Sequence, residues 1–481
     1  MKAQAGSMSK ATLARRLLPG VVFTLVGGNL MSAEVGELTA ATKRGDLQGV
    51  SAILAEGVAD VNETDSETAS PLLWATHRND FELATVLLEA DADPNQANRY
   101  NATPMQEAVT RGNVAMVEAL IGAGADVNTE NYESGQTPIM TAARTGNVDM
   151  IALLLDNGAD INAAESWRGQ NALMWAVAEN HLPAVALLIE RGADVNGPAR
   201  YYEFGRLEWA AGNVPRNRPQ GGLTPLHYAA RLGHVEAGRL LINAGADIYA
   251  AEPHYDYTPL MTATANLHLE FVEALIEADA DVSDGSLYLA VDSTRRNFGS
   301  LRPAEDPVVV QRFVRALLEG GADPNQAFTK RVARRSGRIV RTTPGSTALL
   351  LASSLMDVEL MGILLDGGAD PGIAAENGAT PLLSMVGYGR RAGNSMIYGQ
   401  PLDDEEGRTE VARLLLERGA DPNATDLATG NTALHIAAWN RSRLLYDLLL
   451  EFGADPQATN RQGRVAQEMF AAEPFSRSPL G

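Results

Sequence analysis

The sequence predicts an all-α solenoid of about eleven helix-turn-helix units, with hairpin loops between units and a cap at each end. Three observations carry this expectation. A phrase close to Gly-Ala-Asp recurs eleven times, at Asp60, Asp93, Asp126, Asp160, Asp194, Asp247, Asp281, Asp323, Asp370, Asp421 and Asp455. The spacings between these aspartates are 33, 33, 34, 34, 53, 34, 42, 47, 51 and 34 residues, and a recurring period near 33 marks a stacked array. Within a period, apolar residues fall twice at helical spacing, and neither short helix can bury its face alone.

Residues 1–33 stand outside the period. Lys2, Lys10, Arg15 and Arg16 form a basic start with no acid before Glu34, Leu17 to Val26 is mostly apolar, and Ser32 and Ala33 follow. The pattern predicts a signal peptide cut near Ala33, hence a periplasmic or secreted bacterial protein. Pro19-Gly20 within the apolar run and Met31 before the cut depart from that pattern. A cytoplasmic location is the alternative, with residues 1–33 as a plain extension or the chain starting at Met8. No later stretch has 18 uninterrupted apolar residues, so no membrane span is expected in the mature chain.

The repeating unit is clearest at residues 136–162. Thr137 is a good N-cap and Pro138 a good first helical residue. Ile139, Ala142 and Ala143 give a short helix with a small, close-packing face, and Gly146 ends it. Val148, Ile151, Leu154 and Leu155 mark a second helix, with Gly158 just past its end where a left-handed residue is favoured. Asp91 and Asp279 stand where that glycine is expected, and aspartate tolerates the left-handed conformation better than most residues. The array spans 34–475, leaving 476–481 as a tail. The first unit lacks the Thr-Pro start, and the chain from Arg464 to about Phe475 reads as a lone polar helix, as expected of caps.

This unit resembles the ankyrin repeat. Thr224-Pro225-Leu226-His227 followed by Tyr228-Ala229-Ala230 matches the family hallmark, and Thr432-Ala433-Leu434-His435 nearly matches it. Degenerate copies begin at Ser70, Thr103, Thr258, Thr347 and Thr380. The resemblance implies a non-enzymatic protein-protein interaction scaffold, with ligands held on a concave face by hairpin "fingers" and first helices. It also implies that His227 and His435 are structural.

Four spacings exceed 34, and the added residues locate candidate sites. Residues 197–222 extend a finger carrying Tyr201, Tyr202, Phe204 and Trp209 among arginines. Tyr, Trp and Arg dominate binding hot spots. Residues 326–345 extend another finger, with Lys330, Arg331, Arg334, Arg335, Arg338 and Arg341 and no acid from Pro324 through Ser354. This basic finger suits an acidic partner surface, or else it balances acidic neighbours of the same chain. Insertions near 292–306 and 387–407 fall between the two helices of a unit. At the ordinary fingertips stand Arg99, Tyr100, Trp167, Arg168, His254, Tyr255 and Tyr257, with Tyr132 close by. Aromatics there need covering, by a partner or by a neighbouring finger. Trp74 and Trp175 share the first-helix slot of Tyr228, where packing between units is the better reading.

Composition narrows the function classes. Net charge is −21, from 39 Lys+Arg against 60 Asp+Glu, so wholesale nucleic-acid binding is not expected. The chain has no cysteine, which excludes disulfides and thiolate chemistry. The seven histidines show no metal spacing, and no cofactor is expected. Asp279, Asp281, Ser283, Asp284 and Gly285 resemble a calcium loop superficially, but the glycine comes one residue late and Ala290 stands where the bidentate acid belongs. No nucleophile-elbow, phosphate-loop, zinc-protease or dinucleotide motif occurs. The expectation is a monomeric scaffold for a protein partner. The alternatives are an intracellular regulator or effector, and an enzyme whose site lies in the insertions around Arg200–Arg218 with Glu203 and Glu208.

Overall fold

The computed structural model describes residues 36–57, 59–131, 134–201, 221–293, 307–330, 332–333, 339–340, 344–386 and 405–471. The predicted leader, the tail and the middles of all four insertions lie outside these residues. Eleven helix pairs follow one another: Glu37–Arg44 with Leu47–Ala55, Pro71–His77 with Phe81–Glu89, Pro104–Arg111 with Val114–Gly122, Pro138–Thr145 with Val148–Asp156, and Ala172–Ala178 with Leu182–Glu190. Then come Pro225–Leu232 with Val235–Asn243, Pro259–Asn266 with Leu269–Glu277, Ser286–Asp292 with Pro307–Glu319, Ala348–Leu355 with Val358–Asp366, Pro381–Val386 with Glu405–Glu417, and Ala433–Trp439 with Arg443–Glu451. These are units 1 to 11, and the lone helix Ala466–Ala471 closes the described array. The fold is the predicted all-α solenoid.

First helices pack on first helices of the adjacent units and second helices on second helices, along the whole series. One hydrophobic core therefore runs from Leu38 to Met469. The close-packing faces of the first helices are alanine-rich: Ala75, Ala108, Ala142, Ala143, Ala229 and Ala230 are buried. Bulkier leucines, methionines and valines of the second helices fill the other side, among them Leu83, Met116, Leu154 and Leu188. The closing helix is not polar all round, since Ala466 and Met469 are buried and the Phe470 ring packs edge-on at 4.9 Å from Tyr446.

Helix starts follow the local chemistry. Ser70, Thr103, Thr224, Thr258, Thr347 and Thr432 each accept a hydrogen bond from a first-turn backbone N–H. Thr137 departs from expectation: it has N-cap backbone geometry, yet makes no cap bond, and its buried hydroxyl has no partner. Second helices start on Asp46, Asp80, Asn113, Asn147 and Asp357, which cap in the same way. Asp91 and Asp279 take φ of 65° and 63°, the left-handed geometry expected of them.

Each marker aspartate has one structural task. From Asp60 through Asp455, its Oδ1 accepts the backbone N–H two residues on, in all eleven units. The residue two on is usually asparagine, and it ties one unit to the next. Asn128 accepts from the Asp160 N–H at 2.8 Å and donates to the Gly158 carbonyl at 3.1 Å. Asn95, Asn196, Asn325 and Asn423 repeat both bonds. This ladder is interrupted where Tyr249, Ser283 and Gly372 replace the asparagine.

The fingers join backbone to backbone. Ser166 N–H donates to the Ser134 carbonyl at 2.8 Å, Arg200 to Arg168 at 2.9 Å, Leu427 to Asn377 at 3.1 Å and Arg461 to Thr429 at 2.9 Å. The basic finger is a β-hairpin, with Val332–Ala333 antiparallel to Ile339–Val340. The 197–222 finger starts as a pair too: Ala199 donates to Leu223, and Gly222 donates to Ala199. Unit 8 holds a deletion that the period conceals. Eleven residues separate Asp126 from its N-cap Thr137, but only four separate Asp281 from Gly285, which opens the unit 8 helix. The finger between units 7 and 8 is missing. The 42-residue spacing is the net of that loss and the added segment between Asp292 and Pro307.

Candidate partner-binding surface

Seven of the ordinary fingertips are organised by one side chain at a fixed place, five residues after the marker aspartate, while the finger after Asp370 carries Ala375 there. Asp65, Asn98, Asn131, Glu165, Glu252, Asp426 and Asn460 occupy it. Glu165 is buried and accepts from Trp167, Arg168 and Gln170 N–H groups at 2.7, 2.6 and 3.2 Å. Asn98 accepts from Tyr100 and Ala102, and Glu252 from His254 and Tyr255. A buried acceptor under a tight turn fixes the turn and points its outer residues at solvent. The longer fingers carry Ala199 and Phe328 at this position instead.

Two of the predicted tips present an aromatic ring with a guanidinium. Tyr100 is 53% exposed, and the Arg99 guanidinium lies 5.0 Å from its ring centre. Trp167 is 63% exposed, with Arg168 at 4.6 Å. Both residues of the first pair are also held by the preceding finger. Tyr100 Oη donates to Glu67 at 3.2 Å, and Arg99 forms an ion pair with the same carboxylate.

The other predicted positions divide. Tyr257 is only 5% exposed and belongs to the core, so it is not a fingertip contact. It immediately precedes the N-cap Thr258, and residues in that place are buried in other units too, as Ala69, Ala102, Gln170 and Asn431 show. A residue just before an N-cap packs down onto its helix. Tyr255 is half-buried between His254, at 4.0 Å, and Tyr257, at 5.6 Å, and packs on the core. Tyr201 is half-buried beside Gly222. Tyr132, Tyr202, Phe204, Trp209, Arg331, Arg334 and Arg335 lie outside the described residues. Lys330, at the base of the basic finger, turns to an acid of the same chain, meeting the Asp256 carboxylate at 3.2 Å.

Residues read as structural behave so. His227 Nε2 donates to the Tyr257 carbonyl at 3.0 Å while Nδ1 receives Thr224 at 2.8 Å; His435 does the same with Arg464 and Thr432. Burial holds the His227 imidazole below its ordinary pKa, against the opposing pull of the Tyr257 carbonyl. Trp74 donates to Asp65 at 2.9 Å under the Lys43 ammonium, which pairs with Asp65 at 2.6 Å. Burial alone would raise the Asp65 carboxyl, but the bonds from Lys43, Ala69 and Trp74 outweigh it and hold it below the usual range. In the calcium-like stretch, Asp281 caps Ser283, and Asp284 is half-buried and bonded to Thr258 and Ser286. Among the described residues no group of three His, Cys, Asp or Glu converges as metal ligands would. No described helix is long and apolar enough to cross a membrane.

Two exposed loop positions escaped the sequence reading. Leu427 is a fingertip residue beside Gly378 of the preceding finger. Tyr249 is 56% exposed at a ladder position and donates to the Asp279 carbonyl. A large residue where asparagine recurs was the signal for Tyr249. Nothing in local composition singles out Leu427.

The architecture defines a helical-repeat solenoid of the stacked-finger class. Comparison with known proteins makes this specific. A family profile described as ankyrin repeats matches residues 38–131, 112–198 and 206–285, a second matches 173–237 and 405–444, and a third matches 429–461. The chain belongs to the ankyrin-repeat family, whose members generally mediate protein-protein interaction. It is 30% identical over 209 residues to ankyrin repeat and KH domain-containing protein mask-1 of Caenorhabditis elegans, covering 44% of this chain and 6% of that protein. It is 29% identical over 218 residues to human ankyrin repeat and SOCS box protein 6, covering 42% and 45%. The chain spans less than half the length of the curated relatives it matches. Among solved structures, the ankyrin repeat domain of Bcl-3 is similar at 25% identity and a TM-score of 0.42, covering 51% of this chain and 99% of that one.

Proposed function

We propose that this chain is a non-enzymatic scaffold that binds a protein partner through its row of fingertips and the adjoining first-helix face, with Tyr100 and Trp167 as anchors. The observation that carries the reading is the pair of exposed aromatic-guanidinium tips, each set by a buried acceptor beneath it. Rigid aromatic and arginine side chains lose little entropy on docking, so preordered tips favour affinity. The test is affinity capture with the full chain and with Tyr100→Ala and Trp167→Ala variants. Each replacement should remove about 1–3 kcal/mol of binding, weakening affinity about fivefold or more and depleting captured partners accordingly. An unchanged partner set would remove these tips from the proposal.

A periplasmic or secreted setting belongs to this proposal and rests on the basic and apolar pattern of residues 1–33 alone. N-terminal sequencing of the expressed protein should begin near Glu34. An intact Met1 or Met8 would sink the setting without touching the binding surface.

A further inference from the structure

We infer that Arg144 and Trp175, on the first helices of units 4 and 5, form a binding site for one carboxylate side chain, an aspartate or glutamate on an acidic segment of the protein partner. This rests on the protein-binding reading above and names the chemistry that the first-helix face receives.

The same arrangement occurs twice in the chain, and one copy is filled from within. In units 1 and 2, the Lys43 ammonium lies 4.5 Å from the Trp74 ring centre. The carboxylate of Asp65, from the finger between those units, closes the pair. Its Oδ1 accepts the turn N–H groups of Glu67 and Ala69, and its Oδ2 takes the Lys43 ammonium at 2.6 Å and the Trp74 indole N–H at 2.9 Å. Three units further on, the cation, the finger acid and the indole recur as Arg144, Glu165 and Trp175. Lys43 and Arg144 each stand two places before a turn glycine, Gly45 and Gly146, and both acids stand five places after a marker aspartate. The Arg144 guanidinium lies 6.0 Å from the Trp175 ring centre.

The second copy is open because its finger acid is already engaged. Glu165 is longer than Asp65 by one methylene, and the turn takes both of its oxygens. Oε2 accepts from the Trp167 N–H, and Oε1 accepts from Arg168 and Gln170. Arg144 Nε and Trp175 Nε1 are therefore buried without a hydrogen-bond partner. Glu179, one helical turn beyond Trp175, supplies neither of them with one. Buried donors left unmet are costly, so an incoming acceptor recovers free energy at two atoms together. An ionised carboxylate does this best, since its hydrogen bonds are charge-assisted, and Asp65 shows that group seated between a cation and an indole in this same fold. Both nitrogens are shielded in the free chain, so a side chain must turn aside to admit the ligand. Arg144 is half-buried, and no ion pair among the described residues holds its guanidinium.

Local charge favours the same occupant, although the whole chain is at −21. At the ends of the first helices of units 1 to 6 stand Lys43, Arg44, Arg78, Arg111, Arg144 and Arg231, with Glu179 as the acid. Tyr228 takes the slot of Trp175 in unit 6, with the Arg231 guanidinium 5.0 Å from its ring centre. Burial raises the Tyr228 phenol, and the Arg231 and Arg168 guanidiniums oppose that rise. Cations thus stand on both sides of Trp175, and their field draws an acidic segment to it.

The test uses the full chain with its tryptophan indole nitrogens isotope-labelled. A heptapeptide of alternating glutamate and serine is titrated in and followed by nuclear magnetic resonance, with Trp175→Phe identifying the Trp175 signal. The Trp175 indole N–H should move downfield as the peptide binds, while that of Trp74, already bonded to Asp65, stays in place. A glutamine-serine peptide should move neither. With the glutamate peptide fluorescein-labelled and read by anisotropy, Arg144→Gln and Trp175→Phe should each weaken binding about tenfold. Phenylalanine keeps the packed ring and loses only the N–H, and circular dichroism checks that both variants are folded. Arg239→Gln, an exposed cation on the second helix of unit 6, should leave binding unchanged. A Trp175 signal that stays in place throughout the titration, equal binding of the glutamine peptide, or full affinity in Arg144→Gln or Trp175→Phe would each overturn the site. Tighter binding of a phosphoserine peptide of the same length would make phosphate the ligand and also overturn it. Partner capture lost on Tyr100→Ala or Trp167→Ala would still uphold the fingertip surface in any of those cases.

Discussion

Units 1 to 5 and units 6 to 10 are built from the same phrase but held together differently. From Asp60 to Asp194 the spacing stays at 33 or 34, and the asparagine ladder links every consecutive pair of units. From Asp247 to Asp421 it is interrupted at Tyr249, Ser283 and Gly372, one finger is absent, and all four insertions fall between Asp194 and Asp421. The turns between helices diverge as well. In the regular part this left-handed turn falls on Gly45, Asn79, Gly112, Gly146 and Asn180, and Gly233 keeps that pattern in unit 6, whereas Leu267 and Met356 are forced into it in units 7 and 9. Side chains with a Cβ pay roughly 1 kcal/mol there. Stacking and the ladder hold the regular part together, with its exposed tips left over, whereas the irregular part has given up some of that stacking chemistry. In a nearest-neighbour array such a difference appears as two unfolding transitions, with units 7 to 9 releasing first.

The largest predicted effect lies at the first joint within the irregular part. His227 is fully buried in unit 6 and holds the Tyr257 carbonyl at the start of unit 7. His227→Ala leaves a cavity and an unsatisfied carbonyl, and should cost about 2–4 kcal/mol by urea denaturation, separating the two transitions further. The imidazole also gives this joint a pH dependence. Its folded pKa lies below the unfolded one, so its contribution is complete above about pH 6.5 and is lost as pH falls below that toward the folded value. The wild-type chain should lose stability in that window and the alanine variant should lack this component. An identical pH profile in the two proteins would refute the linkage.

A smaller break is expected inside the regular part. Asn128→Ala removes both ladder bonds between units 3 and 4 while burying nothing new. It should cost about 1–2 kcal/mol, enough to blur the single transition of units 1 to 5. If that transition stays as sharp and as stable, the ladder is not what separates the two parts.

Much of this was legible in the sequence, and the exceptions have particular causes. The marker aspartates and the Thr-Pro starts are identities, so a period exposes them directly. The acceptors under the fingertips also sit at a constant offset, but as Asp, Asn or Glu they share only an oxygen, and a search for repeated letters passes over them. Tyr257 looked like a tip because it is aromatic and near a loop. One place before the N-cap, however, the chain has already turned inward. The missing finger was hidden by arithmetic, since a deletion and an insertion in one unit partly cancel in the spacing between Asp281 and Asp323. Only the short run from Asp281 to Gly285 betrays it. The exposed pairs at Arg99-Tyr100 and Trp167-Arg168 were visible because tips favour polar residues, and an aromatic beside an arginine stands out there.

The smallest effect tests whether the two parts can be made alike. Gly372 occupies the ladder position between units 9 and 10, and its N–H already donates to Asp370 Oδ1 at 2.7 Å, as Asn128 does to Asp126 at 2.9 Å. Its φ is not in the left-handed region, so a side chain is tolerated by the backbone. Gly372→Asn should then accept from the Asp421 N–H and donate to the Gly419 carbonyl, the two bonds that Asn423 makes to unit 11. A Cβ at 372 would lie 3.1 Å from Asp370 Oδ1, a close approach that offsets some of the gain. Loss of glycine freedom in the unfolded chain adds to the folded side. The net expectation is about 1 kcal/mol of added stability, read as a rise in the lower urea midpoint with the upper one unmoved. A rise in both midpoints would mean that the array unfolds as one body, and the division between regular and irregular parts would then describe sequence without describing energetics.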